Sequence, residues 1–213
     1  MPMPIAVKIC GITTLEDARF AAAAGADMLG FIQHPDSQRH VDTRHARDII
    51  EWICGPKCVG VFVDRSCATV NELTDKAGFN YVQLHGSESP GYCMQIARPI
   101  IKTFRVRSNT RAEELRNRMA PYKALVRYFL LDTHHSVLRG GTGRTFDWTV
   151  AAQLAAEFPI IAAGGIGPEN VLAAIKAAQP AGIDCSSRLE YRPGRKDFDR
   201  VARLIEQVRS REQ

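Results

Sequence analysis

The feature that most constrains this chain is an alternation repeated eight times, a short apolar run followed by a stretch with helical periodicity. The apolar runs fall at 5–9, 28–32, 59–63, 81–84, 100–104, 128–131, 159–162 and 182–185, and the helical stretches at 15–24, 43–53, 69–77, 92–97, 111–119, 147–157, 168–178 and 197–208. Spread over 213 residues this is about 27 per unit, the size of one strand–helix step. The runs are apolar throughout rather than alternating, as expected of parallel strands covered on both faces. Eight such units favour closure into an α/β fold of the (β/α)8 TIM-barrel type over an open doubly wound sheet. No glycine fingerprint for a dinucleotide follows the first run, which also counts against the open sheet. No linker or low-complexity stretch interrupts the pattern, so 1–213 is expected to be a single domain.

Local punctuation agrees with this reading. Thr14 is placed to cap the first helix, with Asp17 three residues on in a near-capping-box position, and Gly25 is placed to close it. Gly78 closes the third helix in the same way, and Pro168 is expected to open the seventh.

Composition narrows the partners. The net charge is +5 and the pI about 9.0, but the basic residues do not cluster with aromatics in any stretch, which argues against nucleic acid. The densest basic regions, 105–118 and 188–203, also carry acidic residues and read as solvated faces, with a minority of charges left for an anionic small molecule. No run of about 18 apolar residues and no apolar leader is present, so no membrane partner is expected. The six cysteines lack a disulfide spacing, which suits a reducing cytoplasm. Cys54 and Cys58 offer only half the ligands of a structural zinc site, so no metal is expected there.

In a barrel of this type, chemistry gathers on the residues that follow each strand. These are Cys10 and Gly11, 33–39, Asp64, His85 with Glu88, Arg105 and Arg107, Asp132, Gly164 with Gly165, and Asp184 with Ser186 and Ser187. Small-residue turns at Gly140 to Gly143, Gly164-Gly165 and Ser186-Ser187 follow the last three strands, where such barrels commonly build a phosphate site. Taken singly, each reads as a ligand-free tight turn, but three together favour a phosphate site. Cys10 is a small core residue by default, but Lys8 lies two residues before it on the same strand face. A cation there would lower the thiol pKa and make a thiolate base available. Asp132 ends an apolar run, so desolvation would favour its neutral form and suit a general acid; a turn cap with Thr133 is an equal alternative. Arg39 is either a solvated charge or a bidentate clamp for a carboxylate. His34, His40, His134 and His135 have no metal-ligand spacing.

These residues sit within a longer series of motifs. Lys8-Ile9-Cys10-Gly11-Ile12-Thr13, Gly30-Phe31 with Ser37 and Arg39, Val61-Phe62-Val63, Gln83-Leu84-His85-Gly86 with Glu88, and Leu131-Asp132-Thr133 come first. The stretch from Gly140 to Trp148, Ala163-Gly164-Gly165-Ile166 with Asn170-Val171, and the stretch from Asp184 to Glu190 follow. In this order, across nearly the whole chain, they resemble the phosphoribosylanthranilate isomerase family of tryptophan biosynthesis.

The resemblance implies an Amadori rearrangement of N-(5-phosphoribosyl)anthranilate to the corresponding aminodeoxyribulose phosphate, with no cofactor or metal. It implies Cys10 as general base and Asp132 as general acid. It implies Arg39 on the anthranilate carboxylate, and Gly141, Gly165, Ser186 and Ser187 on the phosphate. His85, Gly143, Gly164 and Asp184 complete the expected substrate-binding set. The expected partner is thus a phosphorylated small molecule, and the expected state a monomer or homodimer. Two positions depart from the family pattern: Arg188 stands where glycine is usual, and Gln33-His34 where an aromatic is common. A second reading follows from Arg188, a phosphate-binding paralogue with weak or different phosphosugar isomerase activity.

Overall fold

The computed structural model describes residues 4–107, 109–133 and 148–211. Eight parallel strands close a barrel in chain order. They are β1 (Ala6–Cys10), β2 (Met28–Ile32), β3 (Lys57–Phe62), β4 (Tyr81–Leu84), β5 (Ile100–Val106), β6 (Tyr128–Thr133), β7 (Ile160–Ala163) and β8 (Gly182–Cys185). β8 pairs back onto β1, with Lys8 opposite Asp184. The helices α1 (Leu15–Ala24), α2 (Thr43–Ile50), α3 (Cys67–Ala77), α4 (Pro90–Cys93), α5 (Ala112–Met119), α6 (Thr149–Ala155), α7 (Val171–Ala178) and α8 (Phe198–Ser210) follow the strands.

Two hydrophobic layers result, one on each face of the strands. The outer face, with Val7, Ile9, Leu29, Phe31, Phe129 and Ile183 fully buried, packs against the helices. The inner face holds a separate, smaller cluster of Met28, Val59, Ile101, Leu130, Ile161 and Ala163, which plugs the barrel. The runs look uniformly apolar because both faces are dry, so the period of two shows only where a polar residue interrupts it.

Where element ends differ from the sequence expectation, side chains explain the difference. Thr14 caps α1 by accepting from the Asp17 N–H, as expected, but the Asp17 carboxylate does not reach back. It turns instead to the Lys196 N–H at 3.3 Å. Pro168 does not open α7. Asn170 folds the preceding loop into a turn, accepting from the Gly167 N–H and donating to the Gly165 carbonyl, both at 2.9 Å, so the helix begins at Val171. Ser89 caps α4 and Pro90 takes its first turn, so this helix starts and stops earlier than the apolar pattern suggests. Between β8 and α8 the expected polar loop contains an antiparallel hairpin, β9 (Glu190–Arg192) with β10 (Arg195–Lys196).

Candidate active site

Polar residues near the C-terminal ends of several strands gather at the mouth of the barrel. Cys10, Gln83, Asp132 and Asp184 line one cavity of about 530 Å3 there, together with Arg39, His85 and the turns after β7 and β8. Cys10 is the last residue of β1 rather than the first of its loop, and Asp132 lies within β6, in register with Ala163 on one side and Arg105 on the other. The rigid ladder, not a loop, therefore sets where both side chains point.

Beneath Cys10 lies a buried cation. The Lys8 ammonium, 1% exposed, donates to Asp184 Oδ1 at 2.8 Å. Leaving water costs an ammonium several kcal/mol, so a lysine in this position requires such a partner. The pairing with Asp184 and the neighbouring thiol outweighs burial and raises the Lys8 pKa, so it stays charged. Gly30 on β2 makes the arrangement possible: a methyl group there would stand 2.7 Å from Cys10 Sγ and 3.0 Å from Lys8 Nζ. The thiol itself does not behave as the sequence suggests. Burial pushes its pKa up more than Lys8, by charge and hydrogen bond, and Lys196 pull it down, with Asp184 adding to the upward push. Without a ligand, Cys10 is therefore held as a neutral thiol beside a standing cation.

Across the barrel, Asp132 is not sealed into an apolar wall, since its side chain is 31% exposed in the cavity. His85 Nε2 lies 3.4 Å from Asp132 Oδ2. Its Nδ1 lies 3.1 Å from the side-chain nitrogen of Gln83 and 3.4 Å from the Thr103 hydroxyl. A Gln83 N–H donated to Nδ1 leaves the imidazole N–H on Nε2, facing the carboxylate. Thr103 carried no signal in the sequence beyond being polar within an apolar run, and Gln83 entered only as the first residue of the motif that ends in His85-Gly86.

Of the three small-residue turns, those after β7 and β8 converge as expected, and the turn at 140–143 lies outside the described residues. Gly164, Gly165, Ser186 and Ser187 line the same cavity, and Gly164 and Gly165 take positive φ of 91° and 68°. Arg188 lines it too. Its side chain is exposed, no carboxylate pairs with it among the described residues, and its stem passes over Gly167, where a Cβ would meet Arg188 Cβ at 2.8 Å. Gly141, Gly143, His134 and His135 lie outside the described residues.

Gln33, at the position where an aromatic is common, turns away from the cavity. It is 5% exposed, donates to the Val41 carbonyl at 2.8 Å and accepts from the Thr43 hydroxyl at 2.9 Å, tying the loop after β2 to the start of α2. Arg39 is not a solvated charge, because Glu190 grips its guanidinium through Nε and Nη2 at 2.6–3.0 Å. Among the described residues, no group of three or more His, Cys, Asp or Glu side chains is spaced to hold a metal ion. No helix among them is long and apolar enough to cross a membrane.

A parallel (β/α)8 barrel with a thiol, a carboxylate and an arginine around one mouth is an enzyme scaffold, and the comparisons with known proteins place it as an isomerase. Residues 7–207 match the family described as N-(5'phosphoribosyl)anthranilate (PRA) isomerase, and the chain belongs to that family. It is 41% identical over 208 residues to the N-(5'-phosphoribosyl)anthranilate isomerase of Geobacter metallireducens, covering 97% of this chain and 100% of that one. The crystal structure of phosphoribosyl anthranilate isomerase from Thermotoga maritima superposes with a TM-score of 0.86 at 35% identity, over 97% of this chain and 99% of that one. A phosphoribosyl anthranilate isomerase in complex with reduced 1-(o-carboxyphenylamino)-1-deoxyribulose 5-phosphate superposes at 0.84 with 33% identity over the same shares.

Proposed function

We propose that this chain converts N-(5-phosphoribosyl)anthranilate to 1-(2-carboxyphenylamino)-1-deoxyribulose 5-phosphate, with Cys10 and Asp132 as the two proton-transfer groups. The observation that carries the reading is that both side chains, from β1 and β6, line one cavity that also contains an arginine and two small-residue turns. A phosphorylated sugar bearing an aromatic carboxylate is anionic at both ends, and the cavity offers a counterpart for each.

The phosphate seats against Gly164, Gly165, Ser186 and Ser187, and the guanidinium of Arg39 meets the aromatic carboxylate. Asp132 protonates the furanose ring oxygen, opening the ring to a Schiff base between C1′ and the anthranilate nitrogen. The proton that Asp132 delivers is the one the Cys10 thiol gives up when substrate binds, so Cys10, now the thiolate, takes the C2′ proton, the C2′–H electron pair forms the C1′–C2′ double bond of an enolamine, and the iminium electrons return to nitrogen. Tautomerisation to the ketose completes the reaction.

The surroundings of each group match its task. His85, with its N–H directed at Asp132, orients the acid. Lys8 gives Cys10 a standing counter-charge, so the thiolate that forms is stabilised without rearrangement. Asp184, expected in the substrate-binding set, lines the cavity and also accepts from Lys8. The proposal is tested by mixing purified protein with N-(5-phosphoribosyl)anthranilate and following loss of the adduct's fluorescence. Turnover is expected, and its absence at any enzyme concentration overturns the reading.

A further inference from the structure

The hairpin between β8 and α8 forms a closed chain of contacts around Arg39 and Cys10 that the proposed mechanism leaves unused. Glu190, on its first strand, is 3% exposed and takes Arg39 side-on, accepting from Nε and Nη2 in a bidentate grip. Lys196, on its second strand, is fully buried and donates to Glu190 Oε1 at 2.9 Å and to the Cys10 carbonyl at 2.6 Å. The arginine stem crosses Gly11, where a Cβ would stand 2.7 Å from Arg39 Cδ. The Gly11 φ of 77° also disfavours a side chain there. The hairpin is docked from its other end by Thr13, whose hydroxyl donates to the Gly194 carbonyl at 2.5 Å.

Two positive groups and one carboxylate leave this cluster with a net charge of +1, and Arg39 is its one partly exposed member. A free arginine carries about 2 kcal/mol of rotamer entropy, much of which is lost when it clamps a ligand. Here that loss is met on folding, because the Nε/Nη2 edge is already engaged. The outer edge, through Nη1, is left for a ligand, and Arg39 lines the cavity.

We propose that Glu190, itself anchored by Lys196, is a positioning residue that fixes Arg39 to present its outer edge to the carboxylate on the substrate's aromatic ring. The inference rests on the reading of the substrate given above and adds the residue that sets specificity for its aromatic end. Glu190 does not touch substrate; it acts through Arg39.

The test compares two stable competitive inhibitors, reduced 1-(phenylamino)-1-deoxyribulose 5-phosphate with and without the ortho carboxylate. Glu190→Gln is expected to weaken the carboxylated inhibitor about 10-fold and to leave the other within about 2-fold. In an Arg39→Ala background the same substitution is expected to change neither. Equal weakening of both inhibitors by Glu190→Gln, or none, overturns the proposal, as does a wild-type protein that does not distinguish them. If Glu190→Gln does not fold, Arg39→Lys carries the question, since lysine keeps the charge but loses the side-on grip. It is expected to lose the same preference for the carboxylate, and full retention overturns the proposal. Failure of the substrate reading shows separately, as absence of wild-type turnover.

Discussion

Two of the chain's buried lysine–carboxylate pairs, similar in geometry, lie on opposite faces of the barrel strands, and their surroundings give them different roles. Lys102 on β5 meets Glu88 at 3.0 Å, with exposures of 3% and 2%. Lys8 on β1 meets Asp184 at 2.8 Å, with exposures of 1% and 11%. Around Lys102 the hydrogen bonds are complete: it also donates to the carbonyls of Gly86, Thr103 and Leu84, while Glu88 accepts from the backbone N–H groups of Asp64 and Gly86. That pair is a knot joining β5 to the segments that follow β3 and β4. Lys8 has one carboxylate, and its next neighbour is a thiol that opens into the cavity. Burial and pairing alone therefore do not mark a functional charge; in the proposed mechanism, a neighbour that changes charge during the reaction does.

The sharpest way to break this comparison is to remove both cations. Lys8→Met and Lys102→Met each strand a buried carboxylate and are expected to cost about 3–5 kcal/mol of stability, read from denaturant unfolding. Well below both transitions, Lys8→Met is expected to lose about 10-fold or more in kcat, because the thiolate loses its counter-charge, while Lys102→Met stays within about 3-fold. Equal kinetic losses would remove the distinction. A second probe reads the thiol directly. Losing a cation destabilises the thiolate, so the already raised Cys10 pKa moves higher in Lys8→Met. Alkylation of Cys10 by iodoacetamide at pH 8 is then expected to slow about 5-fold, and the Lys102→Met rate to match wild type. Acceleration in Lys8→Met would reverse the assigned sign.

Gly30→Ala asks the same question sterically. Its methyl group lies too close to both Cys10 Sγ and Lys8 Nζ, and about 5-fold loss of kcat is expected with the unfolding transition shifted by about 1–3 kcal/mol. The smallest effect is expected at Arg188. Its exposed side chain adds charge beside the small-residue turns proposed to seat the phosphate, so Arg188→Gly should raise KM about 2- to 5-fold, with less difference at high salt. A KM unchanged at low salt would show that the departure from the family's glycine plays no part in binding.

The barrel was legible because eight dry strands leave eight apolar runs, and those signals survive without any neighbour being known. Strand ends were less legible where function intrudes. Cys10 and Asp132 read as loop residues because a polar side chain ends an apolar run, yet the backbone at Asp132 keeps its place opposite Ala163. The residues later found at the mouth were visible as a set, because this fold collects them there. Their environments were not. A lysine two residues from Cys10 suggested a lowered thiol pKa, but the depth of burial, which reverses the direction, is a property of the whole barrel. Glu190 and Lys196 were least visible, since a charged hairpin has the composition of a loop and the partner of Glu190, Arg39, lies 151 positions away.

The central claim is that Cys10 and Asp132 act on opposite sides of one sugar. The most direct measurement is turnover of N-(5-phosphoribosyl)anthranilate by Cys10→Ala and Asp132→Asn, alongside their affinity for the reduced product analogue. The account predicts rates lower by about 100-fold or more in each variant, with the analogue still bound within about 10-fold of wild type. Near-wild-type turnover by either variant would contradict it.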